Sequence, residues 1–277
     1  MTPFPARLER LASVGSTQHV VRAWLDAGQP EVAVAVADVQ TAGRGRQGRT
    51  WTAPPGAALL ASVGFRPSFL PAGEAWRLGA IVALAMLDAA EEAGGLRDGT
   101  LWLKWPNDLV ADGPDGRLLK VAGVLGETAL GASGIESAVV GIGVNAGWRA
   151  ADFPAELAGS MTSLFELSGG RPIERDALLE AWLDRLEPRY EALRAGRFDA
   201  GGWSARQRTT GHRVEVDAGE EHLAGQAMGV DPASGALLLE LPDGSSRAIG
   251  SGEVTRCRIV ELPVRRTSPS GPTARNG

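Results

Sequence analysis

The chain has 277 residues, enough for a full α/β core and one small accessory domain. Its 28 basic and 33 acidic residues leave a net charge of -5, which excludes a global positive field for nucleic acid, so any anion site must be local. One cysteine, Cys257, and three scattered histidines exclude an internal disulfide and a His/Cys zinc cluster, as suits a reducing cytoplasm.

The opening MTPFPARLERLAS lacks a long apolar core, and the longest apolar stretch, Leu78 to Leu87, is too short to span a bilayer; a soluble cytoplasmic chain with no membrane contact is expected. Residues 16–28 start on a capping-type serine, carry Val20, Val21, Trp24 and Leu25 at helical spacing and end at Gly28, which predicts a first helix. The apolar runs 32–39 and 57–65 suit strands of a well-covered sheet, so the segment between them is a loop. Helices follow over about 74–93, stopped by Gly94 and Gly95, and about 174–193. Between them LWLKW, KVAGVLGE and SAVVGIGVN have strand character, joined by turns at Pro106-Asn107-Asp108 and at residues 112–116. The main domain is thus predicted to be α/β, with helices covering a mixed sheet. After Gly202 five short strands recur every ten or so residues, the pattern of a small β-barrel. Residues 264–277, rich in Pro, Ser, Gly and Arg, have almost nothing to bury and are expected to be a disordered tail.

The most informative stretch is Gln40-Thr-Ala-Gly43-Arg44-Gly45-Arg46-Gln47-Gly48-Arg49-Thr50-Trp51. From Val39 to Gly73 there are four arginines and no Asp or Glu, a positive island in an acidic chain. Glycines let backbone approach an anion closely, and guanidinium forks suit phosphate or carboxylate. A polyphosphate ligand fits this pattern; a solvated arginine-glycine loop or a nucleic-acid patch fits the loop taken alone. Mutual repulsion and glycine entropy also favour an open loop when no anion neutralises it.

This loop resembles the glycine-arginine loop of the biotin protein ligases. Lys104-Trp105-Pro106-Asn107-Asp108 is similar to the same family's KWPND motif, the run from Lys120 through Gly123 to Glu127 to its K-x-A-G-I-L-x-E strand, and Gly141-Ile-Gly143-Val-Asn145 to its GIGVN strand, all in the family's order. Ser16-Thr17 stands where such ligases carry a pair walling the biotin site, although Gln18 follows where Asn is usual. The resemblance implies a class II synthetase-like catalytic domain over 1–205, an SH3-like domain over 206–263, and no room for the DNA-binding domain of many bacterial members. It also implies activation of biotin as an adenylate with ATP and Mg²⁺, then transfer to a lysine of a biotin carboxyl carrier protein. As some relatives pair through their sheets, a homodimer is admissible. Lipoate or octanoate ligases, a biotin-responsive DNA-binding repressor and a noncatalytic biotin- or nucleotide-binding module are the rival readings.

The chemistry demands cations. Two like unit charges about 4 Å apart repel by roughly 4 kcal/mol at an effective dielectric near 20, about three powers of ten in rate. By resemblance Lys120 bridges the biotin carboxylate and the α-phosphate, Arg44 and Arg46 hold phosphate and carboxylate oxygens, and Lys104 and Arg49 are further phosphate ligands. Gln40 is expected to serve the ureido ring, Trp51 to stack on adenine, and Gly43 and Gly123 to let the ligand approach. Asn107 is expected at the nucleotide end, Asp108 as a Mg²⁺ ligand and candidate base, and Asn145 at the adenine or as a turn cap.

Overall fold

The structure is a computed structural model that describes residues 3–114, 116–132 and 134–261. The expected tail at 264–277 lies outside the described residues.

Strand β1 (Arg7–Val14) runs parallel to β2 (Ala33–Gln40), Arg7 opposite Ala33, with helix α1 (Thr17–Asp26) as the crossover. β3 (Ala58–Phe65) is antiparallel to β2. After α2 (Trp76–Ala93) come β4 (Leu101–Lys104), β5 (Asp108–Asp112), β6 (Leu118–Gly131) and β7 (Gly134–Asn145), and β7 returns to pair with β3, Ala58 opposite Asn145. The sheet order is β1-β2-β3-β7-β6-β5-β4, seven strands with one parallel pair. Short helices α3 (Ala155–Ala158) and α4 (Leu164–Leu167) precede the long α5 (Arg175–Arg194) and α6 (Ala200–Ala205).

Because side chains alternate along a strand, neighbouring residues serve opposite faces. Val34, Val63 and Val140 pack in the main core with α2 and α5, where the Trp182 indole of α5 donates to the Val82 carbonyl at 3.2 Å. Ala35 and Val139 face the other way, onto Val21 and Leu25 of α1. The face under α1 carries the site.

A second sheet contains β8 (Arg213–Ala218), β9 (Glu221–Val230), β10 (Leu237–Glu240), β11 (Ser246–Ile249) and β12 (Val254–Glu261), all antiparallel in the order β11-β10-β9-β8-β12. The segment leading into it from α6 is stitched to the free edge of β4, where Leu103 exchanges backbone hydrogen bonds with Arg206 and Arg208 at 2.8 and 2.7 Å. Trp105, 2% exposed, donates its indole N–H to the Gly235 carbonyl at 3.0 Å and pins the two sheets together.

Two strands differ from the sequence expectation. β1 is not among the elements the sequence predicts, because an edge strand with alternate residues exposed carries only a weak apolar signal. β5 begins at Asp108, which the Pro-Asn-Asp turn signal assigned to a loop: the turn is real, but its last residue already pairs with Lys104 and Gly123.

Candidate active site

A cavity of about 1070 Å³ opens between the N-terminus of α1, the arginine loop, the floor of β6 and β7, and strand β12. Its two ends differ chemically.

One end is buried and uncharged. Ser16 and Thr17 are each 2% exposed at the start of α1, and Ser62 is fully buried in β3. The Thr17 amide and hydroxyl both donate to Gln40 Oε1, at 2.8 and 3.1 Å, and the Thr17 and Ser62 hydroxyls lie 2.8 Å apart. With its oxygen accepting twice, the Gln40 amide keeps its N–H donors for a guest. Gln18, also buried, donates to the Leu125 carbonyl at 2.9 Å, and a Cβ at Gly141 would stand 3.0 Å from it. Ser62 and Gln18 carried no expected role; a lone hydroxyl in an otherwise apolar strand was the available signal for Ser62.

The other end gathers cations around one carboxylate. Lys120 Nζ lies 2.6 Å from Asp108 Oδ1, and the Lys120 backbone is fixed on both sides by Ser160 and Thr162. Lys104 Nζ donates to the Cys257 carbonyl at 2.8 Å. Arg46 donates to the Ser251 carbonyl and to that of Val254 at 3.0 Å, and Arg49 to that of Thr255. β12 is an edge strand of its sheet, and main-chain oxygens of its residues Val254, Thr255 and Cys257, with that of Ser251 just before it, receive these cations. Burial pulls the Arg46 guanidinium below its usual range, opposed by Asp108, yet an arginine stays charged. Asp108 is the sole acidic side chain among the described residues of the lining.

Trp51 floors the space between the ends. Gly123 and Gly143 make room for its ring: a Cβ at Gly143 would come within 2.5 Å of the indole and one at Gly123 within 3.2 Å. Lys120 Nζ sits 5.3 Å from the ring centroid, a cation over a π-face. The loop itself is a tight hairpin, with the Trp51 amide on the Gly43 carbonyl at 3.0 Å and the Gly45 amide on that of Arg49 at 2.7 Å.

The sequence-predicted residues Ser16, Thr17, Gln40, Arg44, Arg46, Arg49, Trp51, Lys104, Asn107, Asp108, Lys120 and Gly123 all line this one cavity. Two do not. Gly43 is buried under the loop, where a Cβ would run into the Trp51 carbonyl. Asn145, 2% exposed, spends its amide on the Thr162 carbonyl at 3.0 Å and so braces the segment that holds Lys120. Asn107, though on the lining, donates to the Val124 carbonyl at 2.8 Å and fixes the turn that presents Asp108. Arg44 stands apart from the cation cluster, engaged by Glu127 on β6. Every loop arginine thus has an oxygen partner, which offsets the repulsion expected to open the loop. No group of three or more His, Cys, Asp or Glu able to hold a metal occurs among the described residues.

Comparison with known proteins gives a consistent result. Residues 11–145 match the biotin/lipoate A/B protein ligase family. The chain is 33% identical over 256 residues to a biotin--[acetyl-CoA-carboxylase] ligase of Mycobacterium tuberculosis, covering 91% of this chain and 90% of that one. It is 31% identical over 233 residues to the bifunctional ligase/repressor BirA of Bacillus subtilis, covering 83% of this chain and 68% of that protein. Among solved structures, a biotin protein ligase from Aquifex aeolicus in complex with biotin and ATP matches with a TM-score of 0.75 at 28% identity, covering 91% of this chain and 99% of that one.

Proposed function

The chain belongs to the biotin/lipoate A/B protein ligase family, and from that premise and the cavity's chemistry we infer that it is an ATP-dependent biotin protein ligase. It activates biotin as biotinyl-5'-AMP and passes the biotinyl group to a lysine of a biotin carboxyl carrier protein. One observation carries the reading: an uncharged buried hydrogen-bonding end joins, within a single cavity, an end built of Lys104, Lys120, Arg46 and Arg49. A fused apolar ring with a ureido group suits the first, and a carboxylate meeting a triphosphate suits the second.

In this reading Thr17, Gln40 and Ser62 hold the ureido group. Lys120 lies between the biotin carboxylate and the α-phosphate and offsets the roughly 4 kcal/mol of like-charge repulsion estimated for their approach. Arg46, Arg49 and Lys104 hold phosphate oxygens, Arg44 guards the biotin side, and adenine lies against the open part of Trp51. Asp108, a single carboxylate, fits Mg²⁺ only as one ligand of an ion brought in mainly by the phosphates; such an ion would neutralise the departing pyrophosphate. For transfer, the incoming amine attacks an already activated anhydride, so orientation does much of the work, with Asp108 as candidate base.

The remaining assignments are ours as well: a catalytic unit over 1–205, an SH3-like unit over 206–263, a cytoplasmic location, and a reaction needing neither DNA nor membrane. No helix among the described residues is long and apolar enough to cross a membrane. Incubation with biotin, MgATP and a biotin carrier domain, followed by intact mass, tests the function. A gain of one biotinyl group on the carrier is expected; no gain, or a preference for lipoate or octanoate in parallel reactions, overturns it.

A further inference from the structure

Arg46 and Arg49 lean on β12, but Arg44 is anchored elsewhere. Its guanidinium makes a two-pronged contact with Glu127, 2.7 Å from Oε1 and 3.1 Å from Oε2, and sits 3.3 Å from His19 Nε2 on α1. Side chains at alternate positions of β6 share a face, so Glu127 follows Gly123 and Leu125 toward the rim on the side that bears the cavity. α1 is tied to this same stretch: Gln18 donates to the Leu125 carbonyl at 2.9 Å, and Arg22 reaches the Glu127 carbonyl at 3.3 Å and the Ser137 hydroxyl at 3.0 Å. The loop, α1 and β6 therefore meet at one fork, next to the buried uncharged end.

We propose that Glu127 is a positioning residue: by holding Arg44 across the rim between α1 and β6, it closes the buried polar end and sets the rate at which biotin leaves. The proposal rests on the reading of the Thr17, Gln40 and Ser62 end as the seat of biotin. A forked arginine–carboxylate contact fixes direction as well as distance, which a single-point contact from lysine or an amide cannot reproduce. The side chains are 41% and 29% exposed, so the fork is open to water and can break and re-form as ligand passes. Arg44 also pairs main chain to main chain with Thr50 in an isolated β-bridge, so the residue that forms the fork is itself held within the hairpin.

Stopped-flow tryptophan fluorescence with biotin alone, without nucleotide, tests this. Glu127→Gln is expected to raise the biotin dissociation rate about tenfold, equivalent to 1.4 kcal/mol, with the association rate nearly constant. In steady-state assays KM for biotin should rise by a similar factor while kcat moves far less, a split that a merely structural role does not give. Arg44→Gln approaches the fork from the exposed loop and should do the same, and the double variant should be no worse than either single one. Wild-type protein that binds biotin and variants that release it within twofold of its rate overturn the proposal alone, as do additive effects. Wild-type protein that fails to bind biotin overturns the reading of the polar end, and the proposal with it.

Discussion

The ammonium of Lys120 rests 2.6 Å from the carboxylate of Asp108, a pair formed within the protein before any ligand arrives. The two come from neighbouring strands: Asp108 is opposite Gly123, the pairing of β5 with β6 shifts register between Leu109 and Val110, and the Lys120 side chain lies over Gly123, its Nζ 3.1 Å from where a Cβ would stand. Asp108 thus aims the charge that the reaction needs.

Removing that charge exposes the carboxylate to two incoming anions. Lys120→Ala is expected to lower biotin-dependent pyrophosphate exchange by about a thousandfold, at the upper end for loss of a preorganised charge contact, with an unchanged melting temperature. Adding Asp108→Asn should recover part of the loss, because an unpaired anion no longer faces the phosphates. Exchange at the wild-type rate in Lys120→Ala means that the lysine has no part in activation.

Gly143→Ala acts on the nucleotide end through sterics. The added Cβ meets the Trp51 ring at 2.5 Å, and overpacking of this kind costs about 1 to 3 kcal/mol unless the ring moves. Trp51 sits on a loop, so the ring should move. KM for ATP is expected to rise about tenfold, read by titration, while far-ultraviolet circular dichroism stays as in the wild type.

Tyr190, the chain's only tyrosine, is fully buried and donates its phenol to Glu31 at 2.5 Å. Burial, followed by the Glu31 hydrogen bond, drives its ionisation far above the free value of about 10. A raised folded-state value means that the stabilisation is complete below pH of about 10 and drains away as pH climbs beyond it. Alkaline titration followed by ultraviolet difference absorbance should therefore show the phenolate appearing together with unfolding. Tyr190→Phe should cost about 1 to 3 kcal/mol in denaturant unfolding, for removing the buried phenol donor from Glu31, which keeps the Arg66 amide at 3.0 Å. A free, reversible titration near the ordinary phenol value contradicts both.

Cys257 reports on the second sheet. Burial pushes its thiol up to about 11, with Lys104 pulling the other way, so at neutral pH it is an uncharged, covered thiol. Alkylation of the folded protein near neutrality is expected to run no faster than unfolding, measured by intact mass. As the thiol's value is raised by folding, its contribution to stability also falls as pH rises toward 11. Rapid labelling of native protein contradicts the packing of β12 described above.

Much of the site is legible in the sequence because its elements are contiguous. The strand ending at Gln40, the arginine loop and the turn at Asp108 each place their side chains by local geometry, and twelve of the named residues line one cavity. What escaped is long-range or main-chain. The partner of Arg44 lies 83 residues away, and the oxygens that receive Arg46, Arg49 and Lys104 are carbonyls, which every residue has and no motif announces. Asn145 matched a motif, yet its side chain faces the Thr162 carbonyl; Ser62 offered only a lone hydroxyl in an apolar strand, and Gln18 gained its place when β6 and α1 were brought together.

The distribution of these partners along the chain orders the maturation of the two ends in time. The polar end needs residues 16 to 62 and the β6–β7 hairpin, whereas Arg49 waits for an oxygen 206 positions further on. Contacts of such separation close last, after loop entropy has been met by nearer ones. On a ribosome the arginine loop emerges long before β12, and a refolding chain should regain its hold on biotin earlier than its hold on ATP.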